Sequence, residues 1–175
     1  MPALASAFNF NYKESLSNAM EELAQDSRTL FLGQGTVYPG HYMLATLQGV
    51  PEDKRIELPV MEEAQIGMSI GLSLTGYVPI SIFPRWNFLL LAANQLINHL
   101  DKMRPHVIVR VGIGTTKPLD PGDQHKGDHT DAFRRMMPNT YIARLEHASD
   151  VIAEYRAALY RDGPSILVEI ADLYS

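Results

Sequence analysis

The amino-acid sequence predicts a single α/β domain in which helices cover both faces of a mostly parallel, doubly wound sheet. Short apolar runs of strand length alternate with longer helical patterns along the chain, and this alternation is typical of parallel sheets. With 175 residues, the chain has the length of one domain and can bury about two thirds of its unfolded surface. We therefore expect one three-layer domain covering residues 1–175.

The individual elements follow from apolar periodicity and from glycine or polar residues between the apolar runs. An amphipathic pattern predicts a helix at 13–25, and a short apolar strand follows at 30–32. That strand ends at Gly33-Gln34-Gly35, a turn with two residues that tolerate positive φ. Later strands are predicted at 56–58, 78–83, 107–111, 141–144 and 166–170, and later helices at 63–75, 87–102, 130–136 and 148–161.

A polar loop at 112–128 separates the fourth predicted strand from the short helix at 130–136. Loops of this length without secondary structure are uncommon and tend to be functional. This loop carries Gln124, His125 and several charged side chains. We therefore expect it to contribute to a site.

Composition argues against several classes of protein. The chain has no cysteine, which excludes disulfides, thiolate metal sites and a cysteine nucleophile. A net charge of -5 with mixed signs argues against nucleic-acid binding, since phosphate binding needs a basic face. Residues 78–100 are apolar but are interrupted by Pro79, Pro84, Arg85 and Asn87, so no membrane span is predicted. The N-terminus lacks a basic start, so we expect no signal peptide and a cytoplasmic protein.

An acidic pair, Glu62 and Glu63, stands directly before a helix on which small residues recur. Each interior glycine costs roughly 0.5–1 kcal/mol relative to alanine, so we expect another group to approach this helix closely. The absence of charge from 64 to 77 predicts burial on nearly all sides and a raised pKa for a glutamate beside the helix. Such a glutamate is a candidate catalytic group; alternatively, the pair only occupies the first turn, where the helix dipole favours anions. The small residues are Gly67, Ser69, Gly71, Ser73 and Gly76.

Aromatic and histidine residues each allow two interpretations. Phe88, which follows Trp86 by two positions, is either a core residue or a surface on which a ring stacks. His125 and His129 would share a face if they lay on a helix, where they could bind a divalent ion. Gly127 weakens that helix prediction and no third ligand stands nearby, so we predict no metal site in this chain.

The segment 59–77 resembles the pyrimidine-binding domain of thiamine-diphosphate enzymes. It is most similar to the N-terminal domain of the beta subunits of 2-oxo acid dehydrogenase E1 components, in the transketolase-like superfamily. Those subunits carry a proline, a glutamate three residues later, glycines along the following helix, and a closing Gly-aromatic-x-Pro. The match selects Glu62 rather than Glu63, and it departs from the family at Ala64 and Val78. The matching positions are Pro59, Glu62, Gly67, Gly71, Gly76, Tyr77 and Pro79.

The resemblance extends over almost the whole chain. Residues 12–33 are similar to the opening helix and first strand of those beta subunits. Residues 82–88 resemble the family's aromatic turn, and 102–104 read Lys-Met-Arg, as at the end of the family's next helix. Gln124-His125 resembles the family's Gln-His-Ser-Gln segment. These matches occur in one order at compatible spacings, which makes the resemblance specific.

The resemblance implies thiamine diphosphate as cofactor and assigns roles to individual residues. Glu62 would hydrogen-bond to the aminopyrimidine ring, Phe88 would stack on that ring with Trp86 beside it, and His125 would face the substrate. Gln34 would lie near the cofactor, where the family usually has an acid. The implied reaction is decarboxylation of a 2-oxo acid with acyl or aldehyde transfer. The alternatives are a transketolase-like or acyloin-forming carboligase subunit and a non-catalytic binding or assembly module.

The same resemblance implies a partner chain. The sequence has no Gly-Asp-Gly followed by asparagine, the pattern with which thiamine enzymes hold the magnesium diphosphate. We therefore expect neither a diphosphate-binding domain nor a C-terminal transketolase domain within 1–175. An alpha-like subunit would carry the diphosphate-binding domain and bind Mg²⁺, and the assembly is expected to be a heterotetramer.

Overall fold

The computed structural model of the protein describes residues 11–114 and 120–174, and a six-stranded sheet forms its centre. The strands are β1 (Thr29–Gly33), β2 (Arg55–Glu57), β3 (Val78–Phe83), β4 (Ile108–Ile113), β5 (Tyr141–Leu145) and β6 (Ser165–Ile170). The helices are α1 (Tyr12–Ala24), α2 (Glu62–Leu74), α3 (Trp86–Leu89), α4 (Asp101–Met103), α5 (Thr130–Met136) and α6 (Ala148–Tyr160).

The strand order is β2-β1-β3-β4-β6-β5, and every neighbouring pair is parallel. α1 and α6 cover one face of the sheet through a core that includes Leu16 and Tyr155. α2, α3 and α5 contribute Ile70, Leu89 and Phe133 to the core on the other face. The predicted three-layer α/β domain is therefore confirmed, with a sheet that is parallel throughout.

Two predicted elements differ in detail from the structure. The helix expected at 87–102 is a helical stretch in which a 3-10 turn, Leu90–Ala92, and a π-helical segment, Gln95–Leu100, lie between α3 and α4. In the polar loop, Asp123–His125 form one 3-10 turn, while residues 115–119 lie outside the described residues. Within the described part of the chain, no helix is both long and apolar enough to cross a membrane.

Because all strands run the same way, their carboxyl ends meet along one edge of the sheet. The chain moves from β1 to β2 on one side and continues from β3 to β4 on the other. Such a change of direction between two neighbouring strands leaves a crevice, the usual ligand position in open α/β sheets. A ligand site is therefore expected at the carboxyl ends of β1 and β3.

Candidate active site

Glu62 is the first residue of α2 and lies beside this crevice. With Glu63, it occupies the first turn of a helix of 13 residues, where the positive end of the helix dipole stabilises a carboxylate. Glu62 is half-buried, whereas Glu63 is exposed. The structure therefore distinguishes the two acids, and it places the one selected by the motif nearer the crevice.

Gln65 fixes the start of α2 against the sheet. Its side-chain Nε2 lies 3.0 Å from Ile82 O, 3.0 Å from Ser81 Oγ and 3.3 Å from Leu32 O. These contacts tie the helix to both β1 and β3, close to their carboxyl ends. Gln65 was not among the site residues predicted from the sequence, although a lone amide in an apolar helix indicates a buried hydrogen-bond partner.

A small cavity lies between the ends of these strands and the start of α2. Its volume is about 10 Å³, which is room for about one water molecule. On its other side, Glu62 borders an open depression of about 380 Å³ that Leu91 and Ala64 also line. The cavity is lined by Gln34, Pro59, Val60, Met61, Glu62, Gln65, Ile82, Phe83, Pro84 and Phe88.

Phe88 and His125 meet next to this cavity, but Trp86 does not line it. The ring centroids of Phe88 and His125 are 5.5 Å apart. Trp86 is fully buried and packs on Phe133, with ring centroids 4.8 Å apart. A direct contact between Trp86 and a ligand would therefore require the core to open, so the predicted cofactor contact of Trp86 stays a prediction that its burial disfavours.

Arg85 connects the aromatic turn to the loop that carries His125. Its Nη1 donates to the carbonyl oxygens of Gly114, at 3.0 Å, and His125, at 3.2 Å. Three buried polar atoms in this corner have no hydrogen-bond partner among the described residues: Asn87 Oδ1, His125 Nδ1 and His129 Nε2. Because buried polar atoms are normally paired, this corner has unused capacity to bind a polar ligand or water.

His125 and His129 do not form a metal site with a third residue. Across residues 11–114 and 120–174, no group of three or more His, Asp or Glu side chains is arranged to hold a metal ion. Asp128, which stands between them in the chain, accepts hydrogen bonds from Thr130 and Arg144 instead.

Gln34 also lines the cavity, and it lies on a turn that two side chains hold in place. His41 Nε2 lies 2.5 Å from Gln34 O, and the Glu57 carboxylate accepts from the backbone of the following residues, beginning with Gly35. Burial lowers the pKa of His41. Burial alone would raise the pKa of Glu57, but its backbone donors outweigh that effect and the net shift is downward.

The outer face of α2 is exposed, so the predicted burial of this helix on nearly all sides is wrong for this chain. Ala64, Gly67, Met68 and Gly71 are exposed. A Cβ placed on Gly67 or Gly71 would meet no atom of the described chain within 4 Å, so the expected close approach does not occur within this chain. Leu74, 66% exposed, continues the same apolar face.

The fold and the crevice define a doubly wound α/β domain with a candidate ligand site at the carboxyl edge of its sheet. Residues 9–175 match the family described as "Transketolase, pyrimidine binding domain". The chain belongs to this family.

The chain is also similar to beta subunits of 2-oxo acid dehydrogenases. The mitochondrial pyruvate dehydrogenase E1 component subunit beta of Rattus norvegicus is 32% identical over 183 aligned positions, covering 97% of this chain and 50% of that protein. The 3-methyl-2-oxobutanoate dehydrogenase subunit beta of Mycobacterium tuberculosis (strain ATCC 25618 / H37Rv) is 27% identical over 136 residues, covering 69% and 39%. The chain thus spans about half the length, or less, of these curated relatives.

A solved structure titled "Split gene transketolase, inactive beta4 tetramer" shares the fold. The TM-score is 0.74 at 17% sequence identity, and the superposition covers 91% of this chain and 51% of that one. At this identity, the likeness extends to the fold alone.

Proposed function

We propose that the chain is the pyrimidine-binding, beta-like subunit of a thiamine-diphosphate enzyme that decarboxylates 2-oxo acids and transfers the acyl or aldehyde group. The observation that carries the proposal is that Glu62 and Phe88 line the same cavity at the switch point of the sheet. A carboxyl group and an aromatic face are the two partners that a protonatable nitrogen heterocycle needs for a hydrogen bond and for stacking.

Two residues that line the cavity and a histidine next to Phe88 have separate roles. Glu62 would share a proton with a ring nitrogen of the aminopyrimidine, Phe88 would stack on the ring, and His125 would face the substrate, where it would move a proton or stabilise charge. Thiamine diphosphate supplies an electron sink for the bond that breaks next to the substrate carbonyl. Nδ1 of His125 has no hydrogen-bond partner among the described residues, which supports this role.

A partner chain completes the site. The cavity holds about one water molecule and the neighbouring depression is open, so residues 11–114 and 120–174 do not enclose a cofactor by themselves. The chain also lacks the magnesium-diphosphate pattern. We propose that an alpha-like chain bearing that pattern binds Mg²⁺ and the diphosphate, in a heterotetramer.

The exposed face of α2 is the proposed docking surface for this alpha-like chain. From Ala64 to Leu74 it carries no charge, and it presents bare backbone at Gly67 and Gly71. It continues through Ala64 and Leu91 into the depression beside Glu62, which the exposed Glu63 also lines. A chain that covers the depression therefore also covers this face. Small residues allow the backbones of two packed helices to approach closely.

Calorimetric titration tests the proposal. The chain is titrated with thiamine diphosphate and Mg²⁺, first alone and then with the co-expressed chain that carries the Gly-Asp-Gly pattern. We expect little binding to the isolated chain and tight binding to the complex. Sub-micromolar binding to the isolated chain contradicts the split site, and no binding to the complex contradicts the cofactor.

Transketolase-like or acyloin-forming chemistry is the second candidate. Its support is the likeness to a chain titled as a split-gene transketolase. Assays of the complex with a 2-oxo acid plus an artificial electron acceptor, and separately with a ketol donor plus an aldehyde, distinguish the two reactions. Activity in neither assay, with partner binding intact, favours a non-catalytic assembly module.

The location of the protein in the cytoplasm stays a prediction.

A further inference from the structure

We propose that Glu57 is a positioning residue that holds Gln34 in the wall of the cofactor cavity. Glu57 is the last residue of β2, and Gln34 directly follows β1. Gln34 lines the cavity with Glu62, whereas Glu57 does not. The identity of the ligand rests on the proposed function, whereas the contacts that hold Gln34 are independent of it.

The Glu57 carboxylate is surrounded by successive backbone N–H groups of the turn after β1. Gly35 N donates to Oε1 at 2.6 Å, and Thr36 N and Val37 N both donate to Oε2 at 2.8 Å. Tyr38 N is a more distant donor to Oε2, at 3.4 Å. Hydrogen bonds to a charged acceptor are stronger than neutral ones, and converging backbone donors form a concave anion site. Here, the anion is a side chain of the protein itself.

His41 holds the same turn from the other side. Its Nδ1 accepts from Met43 N at 3.2 Å, which leaves the ring proton on Nε2 to donate to Gln34 O at 2.5 Å. The peptide between Gln34 and Gly35 is therefore held at its carbonyl by His41 and at its N–H by Glu57. This double attachment fixes the backbone from which the Gln34 side chain projects.

Gly35 shows how closely the turn is packed. Its φ is +68°, and a Cβ at this position would lie 2.7 Å from Cδ2 of His41. Any larger residue would have to displace the His41 ring, which would break its bond to Gln34 O. The turn thus depends on three groups that contribute no side chain to the cavity: Glu57, His41 and the bare backbone of Gly35.

Amide hydrogen exchange of the purified chain tests the contacts directly. We expect Glu57→Gln to raise the exchange rates of Gly35, Thr36 and Val37 by at least about tenfold while amides of β3 and β4 stay unchanged. Glu52→Gln is the matched control, because it removes the same charge nearby from a side chain that is 90% exposed. Unchanged rates at the three amides overturn the proposal.

The wild-type chain provides a measurement that does not depend on the folding of the variant. The proton shifts of the Gly35 and Val37 amides should follow the titration of Glu57, which lies below the ordinary value of glutamate because the backbone donors outweigh burial and lower its pKa. His41, whose pKa burial lowers, lies against the same turn, so its titration is followed separately on its own ring protons. Amides that do not follow the Glu57 titration overturn the proposal.

A double-mutant cycle on the complex tests the link to Gln34. We expect Glu57→Gln to weaken thiamine-diphosphate binding about tenfold in the wild-type background and to have no effect in a Gln34→Ala background. An equal loss in both backgrounds, or no loss in either, overturns the positioning role. A wild-type complex that binds no cofactor would instead refute the proposed function, and with it the link to the cavity, while the exchange experiment still decides the contacts.

Discussion

Arg110 of β4 and Glu169 of β6 form a fully buried ion pair inside the sheet. Arg110 Nε lies 2.5 Å from Glu169 Oε1, and Arg110 Nη2 lies 3.1 Å from Glu169 Oε2. Tyr155 and Tyr174 donate to the same carboxylate, and Thr46 accepts from Arg110 at 2.7 Å. Burial alone would lower the pKa of Arg110, but Glu169 outweighs burial and the net pKa shift is upward. Arg110 therefore stays charged in the folded chain.

The first prediction is that Glu169→Gln destabilises the fold strongly. Removing one member of a buried pair leaves the other charge without its partner, and such changes cost about 3–5 kcal/mol. Urea unfolding followed by circular dichroism measures the loss. Glu22→Gln is the control, because Glu22 pairs with the exposed Arg156. Loss of this exposed pair should change the free energy of unfolding little. Equal losses in the two variants would show that burial of the Arg110 pair does not matter.

This ion pair could not be predicted from the sequence. The run at 107–111 contains Arg110, but its other residues are apolar and still predicted β4. A strand that is buried on both faces is recognised by such a nearly continuous apolar run. Glu169 is 59 residues away in the chain, and only the register of β4 beside β6 brings the two together. The contacts of Glu57 and Gln65 with backbone groups likewise depend on the finished sheet.

The candidate site was predictable where a motif carries it. The spacing after Pro59 selected Glu62, and the structure places Glu62 and Phe88 on one cavity. The prediction that α2 is buried on nearly all sides was wrong for this chain. The absence of charged side chains shows only that a surface is suited to burial. It does not show which chain covers that surface. Gly67 and Gly71 are therefore informative about a partner rather than about this chain's own core.

The second prediction concerns the two acids of α2. In the complex with the alpha-like chain, Glu62→Gln should slow the exchange of the thiazolium C2 proton of bound thiamine diphosphate by at least about 10²-fold, because an amide cannot share a proton with the ring nitrogen. NMR in deuterium oxide measures this exchange. Glu63→Gln is the matched control, since Glu63 is exposed on the next position of the same helical turn. An equal effect of the two variants would mean that Glu62 is not the acid.

The third prediction concerns His125. His125→Ala should lower turnover of the complex by about 10²–10⁴-fold with nearly unchanged cofactor affinity, the range expected for lost acid–base catalysis. Steady-state kinetics and calorimetry measure the two quantities. His147→Ala serves as control, because His147 is exposed before α6. Elemental analysis of the wild-type chain is a separate check: a stoichiometric metal released by a chelator, and lost in His129→Ala, would replace the catalytic role with a metal site.

The last prediction concerns the exposed face of α2. Gly71→Ala should raise the free energy of unfolding of the isolated chain by roughly 0.5–1 kcal/mol, because alanine favours a helix interior and no described atom lies within 4 Å of the new Cβ. Gly71→Arg should also leave the isolated chain folded, since its side chain can extend into solvent. In the assembly, however, it places a long charged side chain where the proposed partner packs, so association should weaken by at least about tenfold. Analytical ultracentrifugation of the mixed chains measures this loss, with Ala157→Arg on the exposed side of α6 as matched control. If Gly71→Arg associates as tightly as the control, then the partner docks elsewhere, and the charge-free face of α2 needs another explanation.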